Sequence, residues 1–262
     1  MKTFRLGLFL MMSSLCLNFE NAQASHAMGA DISYQCLGGD SFLITLNFYR
    51  DCFGIDAPTD ATIDISSVSC GISGLSFTLP LAPGSVTDPN PREVSPLCPA
   101  QLPFSTCNGG SYPGVEQYIY EAVVHLPSQC NDWIVSYTLC CRNDQITNLS
   151  TPGSYDLYVE AVLKNTSGLC NNSPIFTSLP VPYVCANQEF NYNHGAIDVD
   201  GDSLVYSCVC PLDGPGICIP YTSSFTPCDP MNTVSGFVFD PITGQMTFIP
   251  SGTQVAVMAV LV

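Results

Sequence analysis

Asp198, Asp200 and Asp202 stand at alternating positions in "HGAIDVDGDSLVYS" (194–207), just ahead of a short apolar run. Carboxylates spaced this way around a glycine can converge on one hard cation. Calcium, which takes about 6–8 oxygen ligands, is the natural candidate outside a cell. The same residues could instead solvate a tight turn in which Gly201 adopts positive φ. An EF-hand is excluded. Counting from Asp198, the loop's glycine position holds Ser203 and its bidentate glutamate position holds Val209.

Other reactive residues form no recognisable catalytic set. His26, His125 and His194 belong to no HExxH motif, and there is no GxSxG elbow or phosphate-cradling glycine loop. His125 shares a strand face with Glu121 and reads as a surface residue. Cys208-Val209-Cys210 lacks the paired CxxC spacing of a zinc site. Paired carboxylates facing one cleft would make a glycosidase, and the abundance of Asp and Glu keeps a polysaccharide-acting enzyme, or its carbohydrate-binding accessory module, as the rival class. The sequons at Asn148 and Asn165 read as incidental.

The elements that must position these residues begin after a leader. Lys2 and Arg5 precede an apolar run from Leu6 to Leu17 and the small-residue site Ala22-Gln23-Ala24, so residues 1–24 read as a secretory signal peptide and Ser25 as the mature N-terminus. The run is shorter than the roughly 20 residues of a membrane span, and no membrane insertion of the mature chain is expected. Cys16 raises lipoprotein processing, but Leu15 before it fits such a site poorly. Without the leader, four basic side chains face 21 acidic ones, a net charge of −17. Such a chain repels nucleic acid and anionic lipid and stays soluble. Of 15 cysteines, 14 follow the leader. An even set in an exported chain reads as a disulfide framework.

Period-two alternation dominates the mature chain. Phe42, Ile44, Leu46 and Phe48 share one face in "SFLITLNFYRDC"; Trp133, Val135, Tyr137, Leu139 and Cys141 share one in "DWIVSYTLCC"; Tyr155, Leu157, Val159 and Ala161 repeat the pattern. No segment carries a sustained helical stripe, and Gly, Pro, Asn and Asp separate the strands, which predicts antiparallel sandwiches. Neighbours in a strand point to opposite faces, so Cys140 and Cys141 are not expected to pair with each other, a redox-active vicinal pair being the alternative. Residues 81–115, rich in Pro, Gly and Ser, read as a long cysteine-stapled loop. A polar run at 165–173 predicts a boundary, with eight mature cysteines before it and six after, so that each side can close its own bridges. The chain stops at "QVAVMAVLV" within a strand-like run, which reads as the N-terminal piece of a longer protein with further modules downstream.

"SPIFTSLPVPYVC", "AIDVDGDSLVYS" and "GFVFDPITGQMTFIP", in that order, resemble a cadherin-like or Ig-like module of bacterial surface proteins. The earlier stretches "SHAMGADISYQ", "LNFYRDC" and "SYTLCCRNDQITNLSTPGSYDLYVEA" resemble the N-terminal region of gliding-motility-associated exported proteins. Those proteins often carry PKD or Ig-like repeats and a type IX secretion sorting domain. The resemblance implies surface adhesion or scaffolding without supplying a ligand. It also implies calcium at the D-x-D turn, completed from the linker "CNNSPIF", where Asn171 and Asn172 stand in the cadherin linker pattern and Asn171 replaces an aspartate.

The resulting expectation is an all-β protein of tandem antiparallel β-sandwich (Ig-like/cadherin-like) modules stapled by disulfides. A cysteine-rich module spans 25–167 and a second module, truncated at its C-terminal end, spans 168–262. No catalytic residue is assigned. Metal ligands are expected at Asp198, Asp200, Asp202, Asn171 and Asn172, binding calcium weakly with a dissociation constant on the order of 10⁻⁴–10⁻³ M.

Overall fold

The alternation around Phe42 is realised as a long strand whose Phe42, Ile44, Leu46 and Phe48 are all buried. The computed structural model describes residues 27–166, 170–180, 183–222 and 224–262. The leader, Ser25 and His26 lie outside the described residues, as do positions 167–169 of the expected boundary. In chain order the first strands are β1 (Ala27–Gly38), β2 (Ser41–Asp51), β3 (Asp60–Ser67), β4 (Ile72–Pro80), β5 (Arg92–Glu93), β6 (Val115–His125), β7 (Trp133–Leu139) and β8 (Leu157–Leu163). Shorter strands follow: β9 (Ile175–Phe176), β10 (Phe190–Tyr192), β11 (Ala196–Ile197), β12 (Ser207–Val209), β13 (Leu212–Gly214), β14 (Ile217–Cys218), β15 (Val238–Phe239), β16 (Met246–Phe248) and β17 (Ala259–Leu261). All strand pairings are antiparallel. The helical turns Leu102–Phe104, Thr106–Asn108 and Pro152–Ser154 are three residues each. No helix among the described residues is long and apolar enough to cross a membrane.

Two sheets face each other, one in the order β1-β2-β6-β5 and the other β14-β13-β8-β7-β3-β4. Between them lie the β2 side chains, Ile63 and Ile65 of β3, Tyr120 and Val124 of β6, Trp133, Val135 and Tyr137 of β7, and Leu157 and Leu163 of β8. Each strand contributes every second residue, as the pleat requires. The β1–β2 turn is made by Gly38, Gly39 and Asp40, all at positive φ, a run that two glycines make accessible. Loop 81–115 is stapled to the end of β2 by the Cys52–Cys107 bridge.

Two expectations are corrected. Cys170 pairs with Cys36 across the boundary, so the two sides do not close their bridges separately. The sheet itself crosses it too, because Leu212 of β13 pairs with Tyr158 of β8. An even count on each side says only that self-closure is possible. Second, Cys140 and Cys141 do pair with each other, joined by a cis peptide bond. β7 ends at Leu139, so these residues lie beyond the regular strand to which the alternation rule applies. The other bridges are Cys70–Cys130, Cys208–Cys228 and Cys210–Cys218; Cys98 and Cys185 are unpaired and exposed.

Candidate functional site

β9 pairs with β11, with Ile175 opposite Ile197 and Phe176 opposite Ala196. This short ladder sets the linker before β9 against the aspartate turn after β11, so Asn172 meets Asp200. The Asn172 backbone N–H donates to Asp200 Oδ2 at 2.7 Å, and its side-chain amide donates to Oδ1 at 2.9 Å and to Oδ2 at 3.1 Å. Asp198 folds the turn by accepting from the N–H groups of Asp200 (2.8 Å) and Asp202 (3.1 Å), and Gly201 takes φ 84°.

The same linker is fixed to β1. Beside the Cys36–Cys170 bridge, the Cys36 N–H donates to Asn172 Oδ1 at 2.8 Å. The Tyr34 N–H donates to Ser173 Oγ at 2.8 Å, and the Ser173 N–H to the Tyr34 carbonyl at 3.0 Å. The Tyr34 hydroxyl donates to the Val162 carbonyl at the end of β8 at 3.1 Å. Burial raises the Tyr34 phenol above its ordinary range; the neighbouring Asp198 and Asp200 charges push the same way, and a hydrogen bond with Asn171 opposes them.

These contacts decide how the expected metal ligands fit a cation. A backbone N–H can only donate, so the Cys36 contact fixes the sense of the Asn172 amide: its oxygen faces β1 and its NH₂ faces Asp200. An ion between them would need the opposite orientation. Asn171 likewise turns its NH₂ to the Asn172 carbonyl, at 2.7 Å. Among the described residues, Asp198, Asp200 and Asp202 are not a group whose ligand atoms lie within 4.8 Å of one another. As placed, the Asn172 amide turns its NH₂ group, and not its oxygen, toward Asp200.

A second joint holds β13, β14 and the chain beyond them to the β7–β8 connection. Asn148 is 1% exposed and donates to the carbonyls of Pro230 (2.8 Å) and Val257 (2.7 Å), while accepting from the Val257 N–H at 3.0 Å. Ile146 and Leu149 pack with Ile219. Arg142 donates to the Leu212 carbonyl at 3.0 Å; burial lowers its pKa to about 10, with Asp213, Tyr221 and Asp156 pulling it back up. Sequence reasoning passed over these residues because Asn148 looks like a surface sequon. Asn165, in the other sequon, is also buried. Its oxygen accepts from the Cys130 N–H and the Trp133 indole, at 2.8 and 3.0 Å. The lone tryptophan was the available clue, since a buried indole N–H needs an acceptor.

Two of the three histidines, His125 and His194, lie among the described residues. His125 is exposed, within 3.2 Å of Ser41 Oγ. His194 lies in a row of rings that runs Phe176, His194, Tyr192, Phe190, Phe248 and Phe237, with neighbouring centroids 4.9–6.3 Å apart. Burial lowers its pKa from 6.5 to about 4, and its Nδ1 has no hydrogen-bond partner. Glu93 and Glu116 stand opposite each other on β5 and β6, but Ser95 and Asn108 hold the first while Arg50 and Tyr118 hold the second. An open groove of about 510 Å³ beside the Cys208–Cys228 bridge is lined by Tyr206, Phe237, Phe239, Pro241 and Ser207. It offers ring faces beside the Ser207 hydroxyl.

No family model, curated protein or solved structure matches this chain. Its functional reading therefore rests on the arrangement described above and on the sequence resemblance.

Proposed function

We propose that this chain is an exported cell-surface module that binds or spaces and does not catalyse, as part of a larger gliding-motility-associated protein. The observation that carries this reading is the Cys36–Cys170 bridge, which encloses the first sandwich and ties it to the linker of the following segment. Bridges of this kind persist in oxidising compartments. The aspartate–asparagine contact, the β8–β13 pairing and the Asn148 joint hold the two segments together at further points, which suits a surface element that must keep its reach under load. The acidic composition disfavours nucleic-acid and anionic-membrane partners, leaving an extracellular glycan or protein as the ligand class.

Protease shaving of intact cells, followed by detection of the released chain, tests the location. On the same preparation, glycan- and cell-binding assays run beside a polysaccharide-degradation screen test the activity. Binding without release of sugar supports the proposal; sugar release by the purified chain would replace it with the glycosidase reading.

A further inference from the structure

The Cys140–Cys141 bridge joins adjacent residues, whereas Cys36–Cys170 spans a sequence separation of 134. In the chain-entropy view, a cross-link stabilises a fold by restricting the unfolded chain, and its effect grows with the loop it closes. A link between neighbours closes nothing beyond one peptide unit, so it does not act as a staple. It also lies where reagents reach it. Cys140 is exposed just past the end of β7, and Cys141 and Asp156 are half-buried. One ligand atom from each of Cys140, Cys141 and Asp156 falls within 4.8 Å of the others.

We propose that Cys140–Cys141 is a reversible dithiol–disulfide pair whose reduced form, with Asp156, holds one thiophilic divalent cation. The reductant is a dithiol. One of its thiolates attacks a sulfur of the pair, forming a mixed disulfide and expelling the other cysteine as thiolate. The second thiol of the reductant then closes its own disulfide and frees the remaining cysteine. Two electrons pass to the pair, and the reductant leaves oxidised. Binding the cation as two thiolates releases two protons, and the Asp156 carboxylate adds an oxygen ligand. Thiolate donors favour zinc or cadmium over calcium or magnesium, and three protein ligands leave a position for water. The site sits on the second joint: Arg142 follows Cys141 in the chain, and the Asp156 N–H donates to Asp213 at 2.6 Å.

Cys98 and Cys185 are exposed free thiols and are first alkylated in the oxidised protein. One equivalent of a phosphine, which becomes its oxide with oxygen from water, then reduces one bridge per chain. Isotopically distinct alkylation and mass spectrometry locate the new thiols. In a parallel sample, cadmium is titrated while thiolate-to-metal absorption is followed. The expected result is labelling of Cys140 and Cys141 with the other bridges intact, and one cadmium per chain. Asp156→Asn should weaken binding at least about tenfold. A Cys140→Ser/Cys141→Ser double variant with an unchanged circular dichroism spectrum should show no band. Prior opening of another bridge, equal cadmium uptake by the double variant, or unchanged affinity in Asp156→Asn overturns the proposal.

Discussion

The first sandwich and the segment after residue 170 hold themselves together by different means. In the first, strands of 7–12 residues, the two-residue β5 excepted, bury alternate side chains in one shared core, and Leu46, Ile63, Ile65, Tyr120, Trp133, Val135 and Leu163 are fully inaccessible. In the second, strands are two or three residues long, and the large buried apolar side chains among the described residues are Tyr206, Ile219, Met246 and Phe248. A row of rings, the bridges Cys208–Cys228 and Cys210–Cys218, and the two joints to the sandwich take over. The lesson is one of scale. A segment that cannot bury enough apolar surface needs cross-links or a neighbour, and this one has both.

The largest expected effect breaks the stronger side. Leu46→Ala removes a fully buried side chain and should cost about 2–5 kcal/mol, lowering the melting temperature of both regions together because the second leans on the first. Met246→Ala carries a similar local penalty, but hydrogen exchange should show the loss confined to residues after 170, with β2, β3, β6 and β7 still protected.

Asn148→Ala comes next. It deletes three hydrogen bonds and strands the buried Pro230 carbonyl and the partly buried backbone groups of Val257, at up to about 1–3 kcal/mol for each group left unsatisfied. Exchange should quicken around 222–230 and 255–259 while the sandwich stays closed. Uniform loss of protection in both regions would mean that they unfold as one unit whichever side is weakened.

Acid should act on the two regions with opposite sign. His194 is held neutral in the ring row, its pKa lowered from 6.5 to about 4 by burial. The unfolded chain takes up the proton first, so stability falls as pH drops through this window, by up to about 3 kcal/mol. Asp31 of β1 is raised from 3.8 to about 6 by burial, against the opposing hydrogen bond from Asn47. Its ionised form is disfavoured in the fold, so stability is highest below 3.8 and declines as pH rises to 6, again by up to about 3 kcal/mol. The two contributions oppose each other in the wild type. Asp31→Asn should expose the acid-labile slope of His194, and His194→Phe should leave a protein stabilised by acid. Melting temperatures measured from pH 4 to 7 check both.

The smallest effect concerns the linker. With the Asn172 amide turned toward Asp200, millimolar calcium should leave the wild-type melting temperature unchanged. Asn172→Asp sets a second carboxylate against Asp200 and should destabilise without calcium and recover with it. At ten times the dissociation constant the recovery is about 1.4 kcal/mol. A calcium-dependent rise in the wild type would support the metal reading of Asp198, Asp200 and Asp202.

The same contrast sets what could be read from the residues. β2, β7 and β8 were legible because alternation and burial coincide there; Phe42, Val135 and Leu157 sit on the face that their spacing assigns. The two- and three-residue strands after 170 leave no period to detect. The approach of the linker asparagines to the aspartate turn was implied by the resemblance, but the sense of the Asn172 amide was not, since an N–H at Cys36, remote in sequence, sets it. Strand alternation misled at Cys140 and Cys141 because the strand had already ended. Cysteine parity misled because it counts residues and carries no information about proximity.

The Cys36–Cys170 bridge cross-links the two segments, and disulfide mapping under non-reducing conditions tests this most directly. Digestion with free thiols blocked should yield a peptide pair containing Cys36 and Cys170, with Cys98 and Cys185 recovered alkylated. Recovery of Cys36 linked to Cys98, and Cys170 linked to Cys185, would contradict it and restore two modules that close their own bridges.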